Sequence, residues 1–372
     1  PAKSINLPSV DDLPRGVMTT SGRSALFHAL LQLNLPPGST VLVPTYHCPT
    51  MVAPGLLAGL NVRFYPLRSD GLPDLDAIPE SVLVRAGAII VAHFFGIAQS
   101  LAEVRAWCDR LGIALIEDCA HCFFGRAGDR PVGCWGDFAT ASLSKFFPVP
   151  EAGVLVSANR EISACLLEPR SFLEQLKGGV DVLEFSAMHG GFRPVNKLFN
   201  ILSALKNSRK SVSRHPTGAA PDATEEMMQM CDMGRISRKP LWISRFLGKV
   251  LSSGSNIAQR RKNFLTYLEA FASIRYAHPL HLSLPDQSAP YVFPLWVDDV
   301  ERVYAEIRAR RLPVFRWDRI WPGTPLFDGD SGSDWSKYVL QLLCHQSLSS
   351  SDIKNISDEI KEMLYAESNP AE

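Results

Sequence analysis

Three short runs hold residue types that together suit one chemistry. Asp137 to Val156 contains Ser142-Leu-Ser144-Lys145, then Phe-Phe-Pro-Val-Pro-Glu-Ala152-Gly153 and the apolar run Val154-Leu155-Val156. A lysine among apolar neighbours between two strand-like runs loses hydration, which disfavours its charge and lowers its pKa. A neutral amine of that kind is a nucleophile toward a carbonyl. A lysine that snorkels, with its head in water, has the same local sequence. Ile113-Ala-Leu-Ile-Glu-Asp118-Cys-Ala-His121 delivers a carboxylate at the C-terminal edge of an apolar strand, where open α/β sheets place ligands. On spacing alone Asp118 caps the next helix equally well. Ser21-Gly22-Arg23-Ser24-Ala25-Leu26 is a small-residue turn opening a helix, whose free N–H groups and positive dipole end suit a phosphate. Most such turns are ordinary N-caps. Taken together, a phosphate cradle, a strand-end anion and a desolvated amine are what pyridoxal phosphate (PLP) requires.

The elements that must position these groups follow from the hydrophobic pattern. From Ser21 to about Val156 helical periodicity alternates with short apolar runs, the signature of βαβ units and a mostly parallel sheet. Helices are expected at 24–33, 50–60 and 101–111, and strands at 40–44, 61–66, 88–92 and 113–117. The pattern loosens between Glu161 and Met233, where the apolar stretch Leu198–Leu205 runs into Lys206, Arg209, Lys210 and Arg214. Residues 207–224 read as a mobile loop, and the basic stretch as a solvated face, a cap over an anionic substrate or a membrane-surface helix. After Trp242 the chain turns helical through Leu268, then shows a strand at 291–297, a helix at 300–310 and a closing helix at 352–364. The expected organisation is a large domain over 1–240, with a long variable segment at about 163–230, and a small α+β domain over 241–372.

Composition narrows the function classes. The 372 residues carry 38 Lys+Arg against 38 Asp+Glu and are 46% hydrophobic, so the chain packs a core and exerts no global pull on nucleic acid or anionic lipid. No apolar run approaches the ~18 residues of a membrane span, and the start of the chain lacks a charged-then-apolar leader pattern. A soluble cytoplasmic protein is expected, its eight cysteines reduced thiols rather than a disulfide framework. Two further motifs lack their context. Ala120-His121-Cys122 and Gly329-Asp330-Ser331-Gly332 look like the flanks of a trypsin-type His and Ser, but no strand-rich barrel surrounds them. Cys119-x-x-Cys122 with His121 has no second pair at zinc-ligand spacing.

The chain resembles the DegT/DnrJ/StrS family of PLP-dependent aminotransferases, fold-type-I enzymes that mostly aminate keto sugars on nucleotide carriers. Ser21 to Leu26 is similar to the family's SGTAAL turn, Pro36 to Pro44 to its PGDEVIVP strand, and His93-Phe94-Phe95-Gly96 to its HLYG. Ile116-Glu117-Asp118-Cys119-Ala120-His121 resembles its IEDAAQ/H segment, and Ser142 to Val156 its lysine-bearing strand. Tyr291 to Trp296 with Leu343-Cys344-His345-Gln346 resembles the start of the small domain and its LPxH turn. The resemblance implies an α/β large domain with a seven-stranded-type, mostly parallel sheet, a small C-terminal domain and a homodimer. It implies that Lys145 forms the Schiff base and shuttles a proton, that Asp118 stays ionised at the ring nitrogen and that His121 sits near the ring hydroxyl. Gly22, Arg23, Ser24 and Ser142 would hold the phosphate. Either His47 or Cys48 would face the ring, alignment favouring Cys48 and an imidazole's stacking face favouring His47. Arg235, in Met233-Gly234-Arg235, would reach the partner subunit's site.

What this implies for activity is a transfer of nitrogen from an amino acid, glutamate, to a keto sugar. A branch of the family removes a sugar hydroxyl instead and carries a His at the lysine position, so Lys145 favours amino transfer over that dehydratase or lyase chemistry. A non-catalytic PLP-binding regulator is the third reading. Ala152 departs from the family's Gly-Gly pair, and Arg235 lacks the Asn that normally precedes it.

Overall fold

A computed structural model describes residues 5–188, 222–251 and 253–366. The basic stretch read at 198–214 lies outside the described residues. So does the loop expected at 207–224, except that 222–224 lead into a helix, Ala223–Met230.

Seven strands form the main sheet: β1 (Arg15–Thr19), β2 (Thr40–Pro44), β3 (Asn61–Tyr65), β4 (Ala86–Ala92), β5 (Ala114–Asp118) and, beyond the short ribbon of β6 (Arg126–Ala127) with β7 (Arg130–Pro131), β8 (Phe138–Ser142) and β9 (Gly153–Ser157). Their order is β1-β9-β8-β5-β4-β2-β3. The five strands from β8 to β3 are parallel, and β9 is antiparallel to both β8 and β1. Parallel strands are covered on both faces, which is why β2 and β4 read as near-continuous runs of Val, Leu, Ile and Ala rather than as alternations. The helix Gly22–Gln32 packs over β8 and β9, burying Ala25, Leu26, Ala29 and Leu30. The expected α/β fold is thus present.

Register aligns the chemistry. Ala92 of β4 pairs with Asp118 of β5, and Asp118 with Thr140 of β8, so the carboxylate stands at the C-terminal edge near the middle of the sheet. Ser142 pairs with Gly153, which pairs with Thr19 of β1. The loop carrying Lys145 therefore leaves and re-enters the sheet beside the turn at Ser21. The sequence reading began the α/β pattern at Ser21 and missed β1, whose Arg-Gly-Val-Met-Thr has no clean alternation because it is an edge strand.

A second, antiparallel sheet orders β10 (Ala277–Pro279), β11 (Val292–Val297), β13 (Val339–Leu343) and β12 (Val314–Arg316). Helices Gly254–Phe271, Val300–Ala309 and Ser350–Tyr365 flank it around Phe264, Tyr267, Phe271, Phe293, Leu295 and Ile360. The helical stretch expected from Trp242 to Leu268 is two helices, Trp242–Val250 and Gly254–Phe271. The second helix starts at Gly254 behind Ser253 at its N-cap, residue types that disfavour a helix interior. No helix among the described residues is long and apolar enough to cross a membrane. All eight cysteines are free.

Candidate active site

The three runs converge on one cavity of about 230 Å³. Its walls include Ser21, Gly22, Arg23, Cys48, His93, Asp118, His121, Ser142, Lys145 and Trp317. Ser21 caps the helix Gly22–Gln32 by accepting a hydrogen bond from the Ser24 N–H at 3.2 Å. Close approach is built into Gly153: a Cβ there would lie 2.2 Å from the Ser21 carbonyl carbon and oxygen and 2.6 Å from the Gly22 nitrogen. Gly153→Ala is therefore expected to push the Ser21–Arg23 turn away. The protein should lose about 2 kcal/mol of stability, read as a lower urea midpoint.

Lys145 ends a short 3-10 turn, Leu143–Lys145, at the exit of β8. Its Nζ stands 5.3 Å from the centre of the Tyr291 ring. Burial lowers its pKa, against the opposing pull of the Asp118 carboxylate. Asp118 is buried, and its Oδ1 accepts a hydrogen bond from the Ala120 N–H at 2.8 Å. Burial raises its pKa, with the Ala120 N–H and Lys145 working in the other direction. The two groups are thus held in a weakly hydrated site, each with the other as a charge partner. His121 lies between the Tyr291 and Trp317 rings, at centroid distances of 4.6 and 4.8 Å. Its Nδ1 is buried with no hydrogen-bond partner among the described residues, and burial followed by Lys145 holds its pKa well below the usual histidine range. A neutral imidazole with one uncommitted nitrogen is suited to a ligand's hydroxyl.

Three expected site residues are placed differently. His47 is withdrawn from the cavity: its ring stacks on Phe64 at 5.0 Å, Nδ1 donates to the Pro44 carbonyl at 2.8 Å and Nε2 accepts from the Trp321 N–H at 2.9 Å. Burial brings its pKa down to about 4, so both nitrogens are committed and the ring is neutral. Cys48 is the member of that pair on the cavity wall. Ser24 also faces away, since its hydroxyl donates to the Ile236 carbonyl. Arg235 lies off the main cavity, in an adjoining one of about 120 Å³ with Thr20, Ser21, Arg23 and Glu151. Its guanidinium pairs with Glu151 at 3.2 Å and Asp232 at 3.3 Å, beside the turn of its own chain. Ser142 lines the main cavity, its Oγ 3.3 Å from that of Ser144.

Tyr291 and Trp317 were not read as site residues. Trp317 follows β12 in a stretch without periodicity, so nothing local marks it, and only the packing of the second sheet brings it to the strand ends. His93 was read only as part of a matching segment, yet it too is on the wall.

Behind that wall, the potential ligand atoms of His93, Glu117 and Cys119 lie within 4.8 Å of one another. Glu117 is already saturated. It accepts from His93 Nε2 at 2.9 Å and from the backbone N–H groups of Gly133 (2.7 Å), Trp135 (2.8 Å) and Gly136 (3.2 Å), which leaves no lone pair for a cation. Burial works to raise its pKa, but His93 and these N–H groups hold it below the usual carboxylate value of 4.5. Its stabilisation is present above about pH 4.5 and is lost as pH falls through the lower folded value. Glu117→Ala strands these buried donors, and the Cys119 thiol that also donates to Oε1 at 3.7 Å, and is expected to cost about 3 kcal/mol or more, read as a lower urea midpoint at pH 7.

Residues 13–172 match the profile of the DegT/DnrJ/EryC1/StrS aminotransferase family. Over 174 residues the chain is 28% identical to a UDP-N-acetyl-3-dehydro-alpha-D-glucosamine 3-aminotransferase of Acidithiobacillus ferrooxidans, covering 43% of this chain and 45% of that protein. Over 153 residues it is 32% identical to an L-glutamine:2-deoxy-scyllo-inosose aminotransferase of Micromonospora echinospora, covering 40% of this chain and 36% of that protein. The chain thus spans less than half the length of either relative. Among solved structures, an E. coli GDP-4-keto-6-deoxy-D-mannose-3-dehydratase with bound hydrated PLP shares the fold at a TM-score of 0.63 and 17% identity, covering 95% of this chain and 88% of that one. The stretch that resembles the DegT/DnrJ/EryC1/StrS aminotransferase family, residues 13–172, is the one that holds the Ser21–Arg23 turn, Asp118 and Lys145.

Proposed function

We propose that the protein is a PLP-dependent aminotransferase that moves nitrogen from glutamate to a keto sugar carried on a nucleotide. The observation that carries this reading is the convergence of Lys145, Asp118 and the Ser21–Arg23 turn on one cavity. Two features support a fit to PLP: the unpartnered Nδ1 of His121, and the cradle at Gly153 that a Cβ would fill. The turn and Ser142 would hold the phosphate, Asp118 the ring nitrogen and His121 the ring hydroxyl. When bound, PLP supplies an electron sink for a substrate carbanion.

The remaining work belongs to the chain. Lys145 offers an amine whose charge burial disfavours, and it would take a proton from the donor's α-carbon and return one to the acceptor's carbon. Burial disfavours the Asp118 charge, and a cationic partner facing it would favour that charge. Trp317 and Tyr291 exclude water on the side of the second sheet. A second cavity of about 330 Å³ shares Cys48, Thr50 and Trp317 with the first and is also lined by Arg308, Arg316 and Arg319, which supports an acceptor bearing phosphate. Residues 1–240 would form the cofactor-binding part and 241–372 the smaller part. Exposed apolar side chains on two helices, Leu173 (77%), Trp242 (60%) and Phe246 (62%), support a homodimer.

The test is the visible absorbance of the PLP-loaded protein, before and after L-glutamate or L-glutamine, followed by keto-sugar nucleotides. The expected result is a visible band that the donor bleaches and the acceptor restores. A band that no amino donor changes would move the protein to the dehydratase or regulatory reading, and the absence of a band would remove PLP altogether.

A further inference from the structure

We infer that Arg260 is a positioning residue for Lys145, an assignment that rests on the nucleophilic role proposed for that lysine. Arg260 lies in the helix Gly254–Phe271 and is 1% exposed, the bulkiest of the fully buried side chains. A buried guanidinium ordinarily faces a carboxylate, because desolvating the charge costs several kcal/mol. Here its hydrogen-bond partners among the described residues are all neutral. Nη2 donates to the Lys145 carbonyl at 2.7 Å, Nε to Gln346 Oε1 at 2.7 Å and Nη1 to the Pro290 carbonyl at 3.4 Å. The guanidinium carbon sits 4.7 Å from the centre of the Phe146 ring. Burial lowers its pKa to about 10, which leaves it charged at neutral pH.

Those partners are the backbone of the site. One guanidinium joins the main chain of Lys145 to that of Pro290, the residue before Tyr291, and Tyr291 is the ring facing the Lys145 amine at 5.3 Å. Gln346 repeats the arrangement one residue along, its Nε2 donating to the Phe146 carbonyl at 3.1 Å. The turn is closed from its own side by the Phe146 N–H on the Leu143 carbonyl at 2.9 Å and the Leu143 N–H on the Ala152 carbonyl at 3.0 Å. Consecutive carbonyls of the lysine turn are therefore gripped by side chains that arrive from the second half of the chain. A hydrophobic residue of similar volume would fill the space without the desolvation cost, so the charge is retained where it meets the Lys145 carbonyl. A lysine that must both capture a carbonyl and carry a proton needs its main chain fixed to within a fraction of an ångström.

The experiment compares wild type, Arg260→Met and Arg260→Lys in two readouts. In cofactor-free protein, Lys145 is labelled with salicylaldehyde, trapped with borohydride and quantified by peptide mass. In PLP-loaded protein, kcat and KM for glutamate are measured. Arg260→Met is expected to slow Lys145 labelling at least ~10-fold and to lower kcat by about 10²-fold with KM within ~3-fold, while Arg260→Lys, keeping the charge, recovers part of both. Wild-type labelling and kcat in Arg260→Met, even with a lower melting temperature, would reduce Arg260 to a structural residue and overturn the inference. Should Arg260→Met fail to fold, Gln346→Met removes one grip on the same turn and is expected to slow labelling by several-fold; an unchanged rate there overturns the inference equally. If Lys145 of the wild type labels no faster than surface lysines, the amine role itself falls and this assignment falls with it. That outcome is distinct from a loss confined to the Arg260 variants.

Discussion

On the function proposed for this site, Lys145→Ala is expected to abolish covalent capture of PLP and to lower amino transfer by about 10⁴-fold or more, the scale seen when a catalytic nucleophile is deleted. Among the described residues no other lysine lines the cavity to substitute for the amine. The variant should still fold, because Lys145 is only half-buried and its carbonyl, not its side chain, holds the bond to Arg260. Borohydride trapping followed by peptide mass checks the loss directly. The pH dependence has a definite sign. Capture needs the unprotonated amine, and burial, against Asp118, lowers the Lys145 pKa from the usual 10.5. Trapping in the wild type should therefore set in at a lower pH than for an exposed lysine and rise with pH through the Lys145 value. A trapping curve matching that of a free lysine would show that the site does not activate the amine.

Asp118→Asn is the second large effect, a fall of about 10³-fold in kcat without loss of fold. The amide keeps the volume and an oxygen to accept from the Ala120 N–H at 2.8 Å, but it removes the anion that would hold a proton on the cofactor's ring nitrogen. The stability expectation runs the other way. Burial raises the Asp118 pKa, so its charge destabilises the cofactor-free fold above the usual value of 3.8, and the asparagine variant should be at least as stable as wild type at pH 7. Urea unfolding of the cofactor-free proteins and kcat of the loaded ones separate the two. A variant that loses activity and stability together would make Asp118 a structural cap instead. An activity-specific loss would fit a site where stability is given up for function.

The chemistry and its scaffold differ in how far they could be read from the chain. Lys145, Asp118 and the Ser21–Arg23 turn were legible because each sits at a strand end or helix start whose pattern is local: an apolar run that stops, then a polar residue where the parallel sheet opens. Strands β2, β4 and β5, inner strands of the sheet, emerged within two residues of their expected bounds for the same reason, and so did β3, an edge strand whose burial alternates from Asn61 to Phe64. Strands β1, β10 and β12 did not, since short or edge strands carry little alternation of their own.

Side-chain direction is what local pattern left open. His47 and Cys48 are neighbours, and no periodicity says which of them faces the cavity. The carbonyl of Pro44 three residues back, the ring of Phe64 on the next strand and the backbone of Trp321, far along the chain, draw the imidazole inward and leave the thiol on the wall. Ser24 lost its expected place the same way, to the carbonyl of Ile236. By itself, then, the sequence determined the α/β order and marked Lys145, Asp118 and the Ser21–Arg23 turn as candidates for one site, because these depend on residue type and strand-end position. Only the tertiary structure decided that Tyr291, Trp317 and Arg260 belong with them, because their positions follow from packing a second sheet against the first, a non-local event that leaves no mark on neighbouring residues.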